Sequence, residues 1–332
     1  MQNFKLDELS NRCKENCKLF NVMFVLLSAC NQDCIHCYIP EHKKIGLSKE
    51  KVFELIDEAR DLGALNITFT GGEVFVRNDF LEIVEYARKK FLRVFIMSNA
   101  SLVDEKIAKR LIDLHISGFS TTIFSLKDEI HDKITQRKGS LRKTLKAIEY
   151  LKEGGIDITV KTPLMELNKY EYKEIEKYAK ENGFIFKSTA SIFGKVDGDK
   201  SPHDLEIKSD IKTIIKDVDR INNEFYLNEC ESKSSIPCSA GFSNICINYD
   251  GTVWPCNTLT LMVGNVNETS LADIWKNSKE LNEWREKAVL KISKCESCSL
   301  KAKCTRCPGL AYMEDGDLYG CSMSAKRIAE NR

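Results

Sequence analysis

Residues 22–38 read VMFVLLSACNQDCIHCY. The first six, Val22 to Leu27, are all apolar, as expected of a strand buried on both faces. Directly behind them come Cys30, Cys34 and Cys37, separated by three and two residues. A structural zinc site normally brings four ligands, and a disulfide framework an even number of thiols. Three thiols leave one coordination position open. In parallel α/β sheets the loops leaving the carboxyl ends of strands build the active site, so the trio stands where function is expected.

Downstream, strands and helices alternate. Val52, Phe53, Leu55, Ile56, Ala59 and Leu62 follow helical spacing, with Ser48 as N-cap. Leu65 to Phe69 reads as a strand, Asp79 to Lys90 as a helix and Arg93 to Met97 as a strand. Asp104 to Leu114 is helical and Phe119 to Phe124 extended. Ser140 to Leu151 is helical and stops at Gly154-Gly155. Ile156 to Val160 is extended, Glu171 to Glu181 helical, and Phe184 to Lys187 extended. About six such strand–helix units imply a parallel sheet, open or closed into a barrel. After Ser188 the pattern degrades, and the polar loop Gly194 to Pro202 marks a domain boundary. Ile207 to Phe225 reads as one more helix. Beyond it, short apolar pieces are punctuated by Cys, Gly and Pro, so cofactors are expected to hold that region together.

The 332 residues carry a formal charge of +1, which gives no electrostatic reason to expect nucleic acid or a membrane surface. The polar start MQNFKLDELS is unlike a signal peptide, and the run Val22 to Leu27 is too short to span a bilayer. The expectation is a soluble, cytoplasmic protein. In such a compartment the fourteen cysteines read as metal ligands rather than disulfides. They are unevenly placed: five lie between Cys13 and Cys37, none between Cys37 and Cys230, and nine from Cys230 to Cys321. Thiolates suit iron–sulfur clusters, and a four-iron cluster held by three cysteines leaves one iron for a small molecule.

Cys30-x3-Cys34-x2-Cys37 resembles the signature of the radical SAM enzymes. His36 stands where that family usually has an aromatic ring. Thr70-Gly71-Gly72-Glu73, after the second strand, resembles its GGE motif, which meets the methionyl amino group of S-adenosylmethionine. Two glycines suit close approach of backbone to a ligand, and a carboxylate suits an ammonium. Ser98-Asn99 ends the third strand, where the family places ribose contacts, and Ser125, after the fourth, is a further candidate contact. The C-terminal pattern Cys238-x12-Gly251-x4-Cys256, Cys295-x2-Cys298-x5-Cys304-x2-Cys307, Cys321 resembles the SPASM domain of radical SAM peptide maturases. That domain carries two auxiliary four-iron clusters. The resemblance implies Cys238, Cys256, Cys307 and Cys246 on the first, and Cys295, Cys298, Cys304 and Cys321 on the second. Only Thr305-Arg306 separate the last pair, where the commonest motif has three residues. A zinc ribbon from Cys295, Cys298, Cys304 and Cys307 is the alternative, but the five-residue gap is short for one and leaves Cys238, Cys256 and Cys321 unexplained.

The resemblance thus implies an α/β chain: an N-terminal extension over 1–21, a partial (β/α)6 radical SAM barrel over 22–200, and a bridging helix with a small, irregular SPASM domain over 201–332. It implies three [4Fe-4S] clusters and S-adenosylmethionine, which the first cluster cleaves to a 5′-deoxyadenosyl radical that takes a hydrogen from substrate. The auxiliary clusters would accept an electron. The leading expectation is a maturase that installs a thioether or carbon–carbon crosslink in a ribosomally synthesised peptide, with flavodoxin or ferredoxin as reductant. Only about twenty residues precede the first strand, too few for a leader-recognition domain, so a separate leader-binding protein or the barrel itself would take the leader. The alternatives are a peptide epimerase, with Cys230 as hydrogen donor, a sulfatase-maturing oxidase, a tetrapyrrole-modifying decarboxylase, and a non-catalytic electron carrier. The decarboxylase would require a basic cavity. His131-Asp132 and Gly139-Ser140 also recur in such maturases and are expected to cap a helix or pack. Cys13 and Cys17 match no motif, and their spacing suits one helical face.

Overall fold

The computed structural model describes residues 6–226, 238–288 and 292–332. Cys230 lies outside them. Six strands, β1 (Asn21–Val25), β2 (Asn66–Thr70), β3 (Arg93–Met97), β4 (Gly118–Thr122), β5 (Ile158–Pro163) and β6 (Ile185–Thr189), run parallel in the order β6-β5-β4-β3-β2-β1. The apolar run at Val22 is β1, whose Val22 pairs with Ile67 and Phe24 with Phe69. Its residues are not equally buried. Val22 and Phe24 enter the helix-covered core, whereas Met23 is half-buried on the opposite face. The same alternation runs through β3, β5 and β6, so one sheet face meets the helices and the other lines the barrel interior.

Most expected helices form. Ser48 caps Lys49–Asp61, its side chain accepting from the Lys51 N–H at 3.2 Å. Leu55, Ile56 and Ala59 on that helix are fully buried, which gives it its driving force. Two features are new. The first is the helix Asp128–Thr135 between β4 and the helix Ser140–Glu153. Asp132 on it accepts from the Gly139 N–H, the Leu141 N–H at 3.1 Å and the Ser140 hydroxyl at 2.8 Å, and so caps Ser140–Glu153 from outside. His131 packs, accepting from the Phe124 N–H at 3.3 Å. Replacing Asp132 with Ala is expected to lower stability by about 1–2 kcal/mol, read as a lower urea midpoint, with Asp132→Asn retaining part of it.

The second is a continuation of the sheet. Strand β7 (Asn244–Ile247) pairs parallel with β1, and β8 (Thr252–Trp254) and β9 (Gly264–Asn265) follow antiparallel. One nine-stranded sheet therefore runs across the boundary expected near residue 200. The helix Ile211–Tyr226 packs on β6. Among the described residues no helix is long and apolar enough to cross a membrane.

Candidate active site

The loop after β1 is held by backbone on both sides. Ser28 and Ala29 both donate to the Lys44 carbonyl, at 2.9 and 3.0 Å, while the Gly72 and Glu73 N–H groups donate to Leu27 and Ala29, both at 2.9 Å. A Cβ on Gly71 would lie 2.5 Å from the Leu27 oxygen, and one on Gly72 would lie 2.3 Å from the Ala29 oxygen. These glycines thus let the loop after β2 lie directly against the loop after β1. Arg77, which the sequence reading passed over, locks the arrangement. Its buried guanidinium donates to the carbonyls of Leu26, Ile45 and Leu47 at 2.9–3.3 Å and pairs with Asp79 at 2.9 Å, holding the Asp79 carboxyl below its ordinary value.

Cys30, Cys34 and Cys37 follow. Burial pushes the Cys30 thiol up to about 11, with the negative charges of Glu73 and Cys37 adding, and pushes Cys34 and Cys37 up as well. Three part-buried thiols on one loop, with Cys37 raising the cost of ionising Cys30 and Cys34, and Cys30 that of Cys34, are the soft donor set that a cationic iron–sulfur core relieves. His42 adds a contact that spacing did not reveal: Nε2 lies 3.3 Å from Cys37 Sγ, and Nδ1 3.3 Å from Asp33. His36 packs edge-on against Phe124 at 5.0 Å. Burial brings it down to about 4, so the ring is neutral, and its Nδ1 is sealed without a partner among the described residues.

Glu73 is 1% exposed and pushed up to about 7 by burial, against hydrogen bonds from the Phe75 N–H, the Ser98 hydroxyl at 2.8 Å and the Asn99 N–H at 2.8 Å. Ser98 and Asn99, expected at a ribose, therefore first hold Glu73. The Asn99 side chain reaches on to Asn31 at 2.8 Å and lies 3.9 Å from Cys30 Sγ, which ties the ends of β2 and β3 to the cysteine loop. Ser125 does not join this network: its hydroxyl donates to Glu171 at 2.6 Å and accepts from the Lys127 N–H. A cavity of about 380 Å³ opens beside the trio, lined by Cys30, Asn31, Gln32, His42, Gln136 and Arg137 among others.

The other thiols fall into two neighbourhoods. Cys256 and Cys307 are the thiols that act on Cys238, and Cys256 acts on Cys246, which is fully buried on β7. Cys321, Cys295 and Cys298 act on Cys304. All thirteen described cysteines are free thiols. No three His, Cys, Asp or Glu side chains among the described residues converge on a point fit for a single metal ion. Tyr38 directly follows Cys37. Burial raises its hydroxyl, and Cys37 and Cys246 both add to the shift. Cys13 and Cys17 do not share a helical face: the helix Leu6–Glu15 ends first, and Cys17 turns left-handed at φ 49°.

Comparison with known proteins agrees with this geometry. The profile of the Radical SAM superfamily matches residues 24–182, and that of the SPASM iron-sulfur cluster-binding domain matches residues 238–308. An AdoMet-dependent heme synthase of Methanosarcina barkeri is 25% identical, over 89% of this chain and 93% of its own. The antilisterial bacteriocin subtilosin biosynthesis protein AlbA of Bacillus subtilis is 27% identical, over 86% of this chain and 66% of its own. Streptococcus suis SuiB, solved with its precursor peptide SuiA, superimposes with a TM-score of 0.73 at 15% identity, covering 98% of this chain and 80% of SuiB. The open parallel sheet, the three-thiol loop and the cysteine-rich C-terminal segment are those of a radical SAM protein with a C-terminal SPASM domain.

Proposed function

We propose that this chain is a radical SAM oxidoreductase that removes two hydrogens from a ribosomally synthesised peptide and leaves a thioether or carbon–carbon crosslink. The observation that carries this reading is that β7, which bears the buried Cys246, pairs with β1, the strand that leads into the Cys30–Cys37 loop, so the cysteine-rich C-terminal segment adjoins the trio. Cys30, Cys34 and Cys37 would hold the cluster that binds S-adenosylmethionine, Cys238, Cys246, Cys256 and Cys307 a first auxiliary cluster, and Cys295, Cys298, Cys304 and Cys321 a second. When bound, these groups supply a 5′-deoxyadenosyl radical and an acceptor for the electron left on the substrate. The chain's own residues bind and orient. Glu73 offers a carboxylate to the methionyl ammonium, and Ser98 and Asn99 fix that carboxylate and border the ribose. Gly71 and Gly72 seat the loop, and the neutral His36 ring closes one side. A flavodoxin or ferredoxin would supply the reducing electron, and the barrel or a separate protein would receive the leader. The names of AlbA and of the SuiB–SuiA complex favour a peptide.

A second reading is oxidative decarboxylation of a tetrapyrrole side-chain acid. It is favoured by the heme synthase likeness over nearly both full lengths and by two lysines, Lys161 and Lys187, abreast in the barrel. Anaerobic assay of reconstituted protein with S-adenosylmethionine and dithionite tests both. Release of 5′-deoxyadenosine stimulated by the peptide encoded beside the gene supports the first, and release stimulated by an iron coproporphyrin supports the second. No 5′-deoxyadenosine in either arm contradicts both.

A further inference from the structure

Thr122, Lys161 and Lys187 stand abreast in register on β4, β5 and β6. All three are half-buried and alternate with Thr121, Val160 and Phe186, which are buried. Val160 and Phe186 belong to the core beneath the helices, so the row lies on the barrel's interior face. Neighbouring strands are about 4.8 Å apart, so two ammonium-bearing chains start side by side in the interior. Lys161 reaches across β4: its Nζ donates to the Met97 sulfur at 3.6 Å. Met97 is the last residue of β3 and precedes Ser98 and Asn99, the pair that holds Glu73. The ammonium thus stands within one side chain of the network around the thiol trio.

A thioether is a weak acceptor, and an ammonium seated on one inside a protein is costly. Burial brings Lys161 down to about 8, with the Lys187 charge adding to the fall. A methionine at position 161 would pack there without that cost. Retaining lysine is intelligible where an anion arrives during the working cycle.

We propose that Lys161, with Lys187 beside it, binds a carboxylate of the substrate and presents the substrate's neighbouring carbon to the trio's end of the barrel. The acid is a peptide side chain or a tetrapyrrole side chain, and the site recognises the same group in either. The inference rests on the reading that the barrel interior receives the substrate, and it narrows that substrate to an acid-bearing one.

The test uses full-length, anaerobically reconstituted holoenzyme. An amine-reactive acylating reagent labels accessible lysines, and labelling of Lys161 is read by peptide mass spectrometry. The additions are S-adenosylmethionine, coproporphyrin III, its tetramethyl ester, pentaglutamate and pentaglutamine. About tenfold or greater protection by coproporphyrin III but not its ester supports the site with a tetrapyrrole acid. The same protection by pentaglutamate but not pentaglutamine supports it with a peptide acid. Protection by S-adenosylmethionine alone assigns the lysine to the cofactor and overturns the proposal, as does equal protection by ester and acid, or protection by nothing. Lys161→Met is expected to weaken the protecting acid's binding roughly ten- to a hundredfold, with Lys161→Arg retaining most of it; unchanged affinity in Lys161→Met also overturns it. Formation of 5′-deoxyadenosine in the same preparation separates the two readings. Its formation without protection removes only the carboxylate site, and protection without its formation removes only the radical chemistry.

Discussion

Cys30→Ala protein, reconstituted anaerobically with iron and sulfide, is expected to hold about four fewer irons per chain than the parent and to form no 5′-deoxyadenosine above background. Among the described residues the trio has no spare thiol. Cys34 and Cys37 are fixed by their own turn, in which the Cys37 N–H donates to the Cys34 carbonyl at 3.0 Å. The nearest histidine contact, His42, lies at Cys37 and not at Cys30. Asn31 and Asn99 approach Cys30 with amide groups, which are poor ligands for iron. The fold itself should survive, because Cys30 is only partly buried and the loop is anchored by Gly72, Glu73 and Arg77. Iron retained by the other eight thiols, with unchanged secondary structure, would show that the loss is local. Full iron content in Cys30→Ala would contradict the assignment of this thiol.

Gly72→Ala is expected to be nearly as damaging, by a different route. Its new methyl group would lie 2.3, 2.4 and 2.7 Å from the Ala29 oxygen, the Ser28 oxygen and the Ala29 carbonyl carbon. All three are backbone atoms, so no side chain can swing aside. Either the Gly71–Glu73 loop lifts, breaking the Gly72 and Glu73 hydrogen bonds to the entry of the cysteine loop, or that entry moves. The cost is roughly 1–3 kcal/mol of stability. The Glu73 carboxylate also leaves Ser98 and Asn99. Affinity for S-adenosylmethionine, measured by equilibrium dialysis, should fall well beyond what the change in melting temperature accounts for. Unchanged stability and affinity would mean the loop is far less tightly seated than its geometry indicates.

The parallel sheet was legible because each strand is short, apolar on its helix-covered face and followed by an amphipathic helix with a readable cap, as at Ser48. Strands β7 to β9 were not, because two to four residues among cysteines and glycines carry no period, and pairing with β1 is a tertiary fact. The helix Asp128–Thr135 was missed as an element, although Asp132 was expected to cap or pack. Its eight residues include three acids and only two isoleucines, Ile130 half-buried and Ile134 fully buried, a weak stripe. At the site, cysteine spacing was informative because ligands on one loop are local in sequence. Contacts made at a distance were silent: His42 at Cys37, Arg77 beneath Leu26, Ser98 and Asn99 on Glu73, and Lys161 reaching Met97. Each depends on where separate strands end. The close packing of Gly71 and Gly72 on Leu27 to Ala29 was equally silent, because it brings together the loops after β1 and β2, far apart in sequence.

Net oxidation of a peptide is read from the mass of the peptide encoded beside the gene after anaerobic co-expression with this chain, in ordinary and in heavy water. A product lighter by two hydrogens is expected in ordinary water, and the unmodified peptide with Cys30→Ala. An unchanged mass in ordinary water with one deuterium gained in heavy water would instead report epimerisation, a redox-neutral outcome that contradicts net oxidation of the substrate.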